Sequence, residues 1–327
     1  MNGLSFKEFG EPTKVLTYGT LAKPVIKSDQ LLVKVFAAPI NPSDALQVSG
    51  VYPMRPHKVD SSYFPGNEGS GEIVEVGNDV SDFKVGDLVI IAAAAVGTWR
   101  EFTVVNKSQV IKVHKELNLK SAAIFSVNPT TAFRMLRDFG EHKVIIQSAA
   151  NSNVGTMVIQ MAKLLNIKTI NIIRDRPDVQ LLKNRLTDLG ADFVFTDKEL
   201  ATKEVAAEIS ALKPTLAFDA VSGEIAANIA NTLERHSIFV SYGSMSLTPI
   251  PISATLLIFK NITFRGFWLA TWYMEHSLED KIEMFREIEE MTIQGKITFP
   301  KLREFHISDY KSAFGKGDKA LFVMSKL

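Results

Sequence analysis

No cysteine occurs among the 327 residues. Disulfides, a thiolate nucleophile, an iron–sulfur cluster and Cys-ligated zinc are thereby excluded. Neither sign of charge is in excess, since 37 Lys and Arg against 36 Asp and Glu leave a formal net charge of +1. Polyanion binders usually carry a strong basic excess or patch, so nucleic acid is not an expected partner. No run reaches the ~18–20 consecutive apolar residues that span a bilayer. The longest apolar stretch, residues 85–96, is broken by Gly86 and Asp87. Residues 1–10 lack both the apolar core of a signal peptide and the Arg-rich pattern of a transit helix, so no membrane partner is expected. The six histidines, His57, His114, His142, His236, His276 and His306, are scattered without metal-ligand spacing.

What is present is an ordinary globular composition, 46% hydrophobic and 22% charged, in a chain long enough for two domains. Residues 1–118 read as short strands among many Gly and Pro. Residues 31–36 form a strand-like run, 71–77 alternate acidic and β-branched side chains, and 85–91 place a turn before a buried strand. A small barrel or sandwich is implied. From residue 119 the texture becomes strand, helix, strand. Strand-like segments at 144–146, 169–173, 193–195, 216–218, 238–240 and 262–264 alternate with helical patterns, among them Val154, Val158, Ala162 and Leu165. Repeated βαβ units predict a doubly wound parallel sheet over 119–271. After 271 a helical stretch and short segments are expected to rejoin the N-terminal domain.

The turn after the first of these strands runs Gln147-Ser148-Ala149-Ala150-Asn151-Ser152-Asn153-Val154-Gly155. Small residues there let a backbone approach a pyrophosphate, and the following helix start supplies free N–H groups. Only one of the usual spaced glycines, Gly155, is present, so a small-residue turn without a ligand is the alternative. Arg174, Asp175 and Arg176 follow the second strand. Asp175 stands near the position that holds a ribose 2′-hydroxyl in NAD sites. The flanking guanidiniums suit a 2′-phosphate, which favours NADPH; the alternative is an ordinary solvated turn.

Together these residues resemble the zinc-free branch of the medium-chain dehydrogenase/reductases, and within it the mitochondrial-type trans-2-enoyl-thioester reductases. The resemblance rests on Asn41-Pro42-Ser43-Asp44 with Gly50-Val51-Tyr52-Pro53, on residues 126–132, on Asn151 to Gly155, on residues 172–178, on Tyr242-Gly243-Ser244-Met245 and on Gly266-Phe267-Trp268-Leu269. Ser148, Asn153 and Ser244 depart from the family pattern. The resemblance implies a β-rich GroES-like catalytic domain (1–118 and 272–327) with a Rossmann domain (119–271), NADPH as cofactor, and an enoyl-CoA or enoyl-acyl-carrier-protein substrate. It also implies a homodimer, in the cytoplasm of a bacterium or, with a presequence removed, in the mitochondrial matrix. Tyr52 becomes the candidate proton donor or carbonyl orienter, because a phenol with its ordinary pKa of ~10 is protonated at neutral pH. Cofactor contacts are expected from Asn128, Asn151, Ser152, Asn153, Val154, Gly155, Arg174, Arg176, Tyr242, Gly243, Ser244, Met245, Phe267, Trp268, Leu269 and Lys319.

Plainer roles stay open for several of these: helix capping for Asn128, core packing for Trp268 and Tyr52, and surface exposure for Lys319. Zinc relatives carry a histidine where Asn67 stands beside Glu68, so no metal is expected, and Glu68 reads as structural. A quinone or alkenal reductase of the same superfamily is the alternative activity, and a redox-silent NADPH-binding protein a remoter one.

Overall fold

Strand-forming runs that alternate with glycine-rich turns build the first sheet. It runs, edge to edge, Leu302–His306, Lys319–Val323, Gln30–Pro39, Glu68–Val76, Leu88–Ala92 and Val110–Lys112, with Phe102–Asn106 also paired to Gln30–Pro39. Its pairings are antiparallel except Leu302–His306 with Lys319–Val323. Register shifts at Leu32/Val33 and Val35/Ala37 bend the central pair, and such irregularities increase local twist. The concave face closes over Leu31, Val33, Val35, Ile73, Val89, Ile91, Trp99 and Phe322, all buried.

In this computed structural model residues 1–114, 116–315 and 317–324 are described. The chain divides into one unit of residues 1–127 with 270–327 and another of 128–269. The first break thus falls between 127 and 128, not 118 and 119. The reason is that residues 119–127 pack on the first sheet: Ser70 Oγ donates to Leu119 O at 2.7 Å, and Ala123 and Ile124 cluster with Ala37 and Leu321. The second break falls between 269 and 270 rather than 271 and 272. The C-terminal segment contributes sheet strands as well as the Leu278–Ile293 helix. Residues 325–327 of the expected catalytic domain lie outside the described residues.

The second unit is a six-stranded parallel sheet in the order Phe193–Thr196, Lys168–Ile173, Val144–Gln147, Leu216–Asp219, Ile238–Ser241, Thr263–Gly266. Counted along this unit, that is 3-2-1-4-5-6, the doubly wound order. Ile146, Ile170, Ile172, Ala217 and Phe239 are buried on it, which is why these strands are rich in apolar residues. The order reverses between Val144–Gln147 and Leu216–Asp219, and ligands bind outside the carboxyl ends of strands at such a point. Among the described residues no helix is long and apolar enough to cross a membrane.

Candidate active site

The candidate residues fall into two groups, one on each unit. On the first, Tyr52 follows a seven-residue helix, Pro42–Val48. Pro42 stands at its first position, where a missing N–H costs nothing. At the other end Gly50 adopts φ +80°, Gly50 N donates to Gln47 O at 3.1 Å and Val51 N to Leu46 O at 3.1 Å. That is a Schellman ending, for which glycine is the natural residue. Tyr52 N also donates to Leu46 O at 3.2 Å, so the tyrosine backbone is tied to the helix rather than loose in a loop. Tyr52 is half-buried.

Behind this helix lies a buried polar cluster. Asn41 N donates to Asp44 Oδ2 at 2.7 Å, and Asn41 Nδ2 to Glu68 Oε1 at 2.7 Å. Lys319 Nζ donates to Asn41 Oδ1 and stands 3.8 Å from Glu68 Oε1. Asn67 Nδ2 donates to Asp44 Oδ1 at 2.6 Å and to Gln47 Oε1 at 2.9 Å. Ser126 Oγ donates to Glu68 Oε2 at 3.2 Å. Burial pushes the Asp44 carboxyl up to about 7, against the opposing effect of the Asn41 backbone N–H. Burial likewise raises Glu68 and lowers Lys319, with the lysine and the carboxylates each favouring the other's charged form.

Lys319 is therefore not the exposed lysine of the plainer reading: it is 7% exposed, and its ammonium is engaged by Asn41 and Glu68. Among the described residues no group of three His, Cys, Asp or Glu side chains is placed to hold a metal. At Asn67 itself the amide is already committed on both atoms, since Ala95 N donates to its oxygen at 2.7 Å.

On the second unit the turn after Val144–Gln147 is shaped for close approach. Ala149 adopts φ +48°. Ser152 caps the Asn153–Leu164 helix, its Oγ accepting from Gly155 N at 3.0 Å. A Cβ on Gly155 would lie 2.6 Å from Ala150 O and 2.7 Å from Ala149 O, so only glycine fits there. Asn151 is exposed, and Ser152, Asn153 and Val154 are half-buried. Ser148, a departure from the family pattern, is buried: its Oγ donates to Asp219 Oδ1 at 2.7 Å and accepts from Ala220 N at 3.0 Å. It joins the two strands that flank the topological switch.

Tyr242 N donates to Asp219 O at 2.8 Å and Met245 N to Ala220 O at 3.0 Å, which brings residues 242–245 beside that switch. The Tyr242 hydroxyl is buried and lacks a well-formed hydrogen bond, although Ser152 is close enough to offset part of the rise that burial gives its pKa. A polar atom stranded beside a helix N-terminus fits a site built for a polar ligand, and the glycine-only approach at Gly155 fits a pyrophosphate. Phe267 N donates to Ser241 O at 2.9 Å, and its ring meets Phe139 edge-on. Leu269 is buried, whereas Trp268 is 37% exposed, which sets aside the core-aromatic reading. Asn128 is the first residue of the Asn128–Arg137 helix, rather than a turn residue before it.

Arg174 and Arg176 follow Ile173 at the strand's end and are exposed. Asp175 is paired with Lys198 Nζ at 2.7 Å, while Arg176 Nε reaches Asp178 at 3.3 Å. Lys198, which sequence reasoning missed, adds a third cation to this corner. No local pattern signals it, because it arrives from 23 positions beyond Asp175 on the short Asp197–Leu200 helix.

An alcohol dehydrogenase GroES-like domain matches residues 27–115, and a zinc-binding dehydrogenase domain matches 153–287. The mitochondrial enoyl-acyl-carrier-protein reductase of Mus musculus is 39% identical over all of this chain and 87% of its own length. That of Arabidopsis thaliana is 38% identical over 90% of this chain and 79% of its own. The chain belongs to the mitochondrial enoyl-acyl-carrier-protein reductase family.

Solved structures agree with this membership. The Candida tropicalis 2-enoyl thioester reductase heterodimer Etr1p/Etr2p superposes with TM-score 0.90 at 30% identity, covering 98% of this chain and 99% of the other. The Etr1p complex with NADP and crotonyl-CoA gives TM-score 0.90 at 29% identity and the same coverage. A Bacillus thuringiensis protein described as a quinone reductase, at 23% identity and TM-score 0.88, shares the fold.

Proposed function

We infer that this protein reduces the carbon–carbon double bond of trans-2-enoyl thioesters, carried on coenzyme A or acyl carrier protein, with NADPH. Family membership over the full chain is the observation that carries the reading. When bound, NADPH supplies the hydride that reaches the β-carbon. The chain's own residues hold the rest. The Ser152-capped helix, Gly155 and the residues around Tyr242 receive the pyrophosphate, with Asn128, Phe267, Trp268 and Leu269 as further contacts. Arg174, Arg176 and Lys198 receive the 2′-phosphate. Lys319 acts from the buried cluster through Asn41.

Tyr52 donates a hydrogen bond to the thioester oxygen as negative charge develops there, and is the candidate source of the α-proton. The ordered turn that fixes its backbone suits this task, because a preorganised donor pays no reorganisation during reaction. The reading needs no metal, since Asn67 stands where zinc relatives place a ligand. The relatives' names support a mitochondrial location for the protein. A two-chain assembly is also proposed: the Thr263–Gly266 strand is a sheet edge, and Leu257, Ile258 and Phe259 on the adjacent Ala254–Lys260 helix are exposed.

The decisive experiment follows NADPH consumption with crotonyl-CoA in wild type and Tyr52→Phe. Turnover by wild type is expected, with kcat lowered about 10²–10³ in the variant, KM less affected and NADPH affinity unchanged. Activity on quinones but not crotonyl-CoA overturns the substrate assignment. A variant that keeps a third or more of wild-type kcat removes Tyr52 from the mechanism.

A further inference from the structure

We propose that Asn67 is a positioning residue for Tyr52, acting through the Pro42–Val48 helix. Seven residues are too few for a helix to hold its own place in water, so tertiary bonds must set its position. Asn67 supplies two of them. Its Nδ2 donates to Asp44 and to Gln47, one turn apart on the helix's buried face, at 2.6 and 2.9 Å. Its Oδ1 accepts from Ala95 N at 2.7 Å, and Ala95 is held at φ +62°. One amide therefore ties the helix to the segment that follows the Leu88–Ala92 strand.

The side-chain chemistry is specific. A terminal amide donates twice and accepts at once, whereas a neutral imidazole has one donor and a carboxylate has none. Beyond the helix, Asp44 faces the charges of Glu68 and Lys319, so a polar partner at position 67 must add donors and not another negative charge. At its far end the helix carries Tyr52 through the Tyr52 N to Leu46 O bond, and a shift of the helix moves the phenol with it.

The inference rests on the reading of Tyr52 above, and a double-mutant cycle separates the two. Crotonyl-CoA reduction is measured for wild type, Asn67→Ala, Tyr52→Phe and the double variant. Asn67→Ala is expected to lower kcat about tenfold with NADPH affinity unchanged, since small misplacements of a reacting group are costly. In the Tyr52→Phe background the same change should alter kcat less than about twofold, because the two residues act as a unit. Equal fold losses in both backgrounds, or no loss in wild type, overturn the proposal while leaving Tyr52's role standing. Retained activity in Tyr52→Phe alone overturns both. Should Asn67→Ala not fold, Asn67→Ser, too short to reach either partner, is put through the same cycle with the same expected outcomes.

Discussion

Arg174 and Arg176 are exposed side chains, proposed above to bind the 2′-phosphate. Replacing both with Ala should weaken NADPH binding by about 1.5–3 kcal/mol, roughly 10–150-fold, as expected for lost charge-assisted bonds. NADH binding should change little, and equal losses for both cofactors in titration calorimetry would sink the assignment. Asp44 acts on stability instead. Its carboxyl lies at about 7 in the folded chain, against ~3.9 for an unperturbed Asp. The folded state therefore binds more protons between those values, and stability falls as pH rises from about 4 to about 7. Asp44→Asn should flatten part of that slope, by an amount on the order of 1–3 kcal/mol. Urea midpoints against pH will show it; parallel curves for wild type and variant would contradict it. Glu68, raised by the same burial, keeps a slope of the same sign.

At the scale of elements, the turn from Val144–Gln147 into the Asn153–Leu164 helix is tightly constrained. The atoms that a Cβ at Gly155 would meet are backbone carbonyls, which cannot swing aside as side chains do. Gly155→Ala should cost about 1–3 kcal/mol by overpacking and should weaken NADPH binding as the turn opens. Thermal unfolding and cofactor titration check the two effects; a variant unchanged in both would refute the packing argument. The elements themselves were largely legible. Buried parallel strands such as Val144–Gln147 are carried by short apolar runs, and Pro42 and Gly50 mark the ends of their helix by the backbone each can adopt. The boundaries were less so. The 71–77 strand begins at Glu68, because residues 68–70 pair with Ile90–Ala92, a register that the local sequence does not signal. The Lys319–Val323 strand was absent from the sequence reading, since five residues at a chain end carry no usable periodicity.

For the whole molecule, the open question is association. Among the described residues the Thr263–Gly266 edge has a strand partner on one side only, and the apolar side chains exposed beside it are the surface proposed above for a two-chain assembly. Replacing Ile258 and Phe259 together with Lys should shift sedimentation from a two-chain species to a single chain. An unchanged sedimentation coefficient would place the interface elsewhere.

From the residues in order, two things could be determined: a doubly wound sheet joined to a β-rich unit, and a family with its cofactor turn. Both rest on local signals, namely period, glycine placement and short motifs, which need no knowledge of distant contacts. The identity of the buried cluster could not be read in this way. Asn41, Asp44, Asn67, Glu68 and Lys319 converge from three separate segments, and strand pairing, not any pattern around Lys319, brings that lysine to Asn41. The same holds for Lys198 at Asp175. Charge–charge proximity is a property of sheet register and chain return, so tertiary structure alone decided which of these ionisable groups are buried and which partner each one meets.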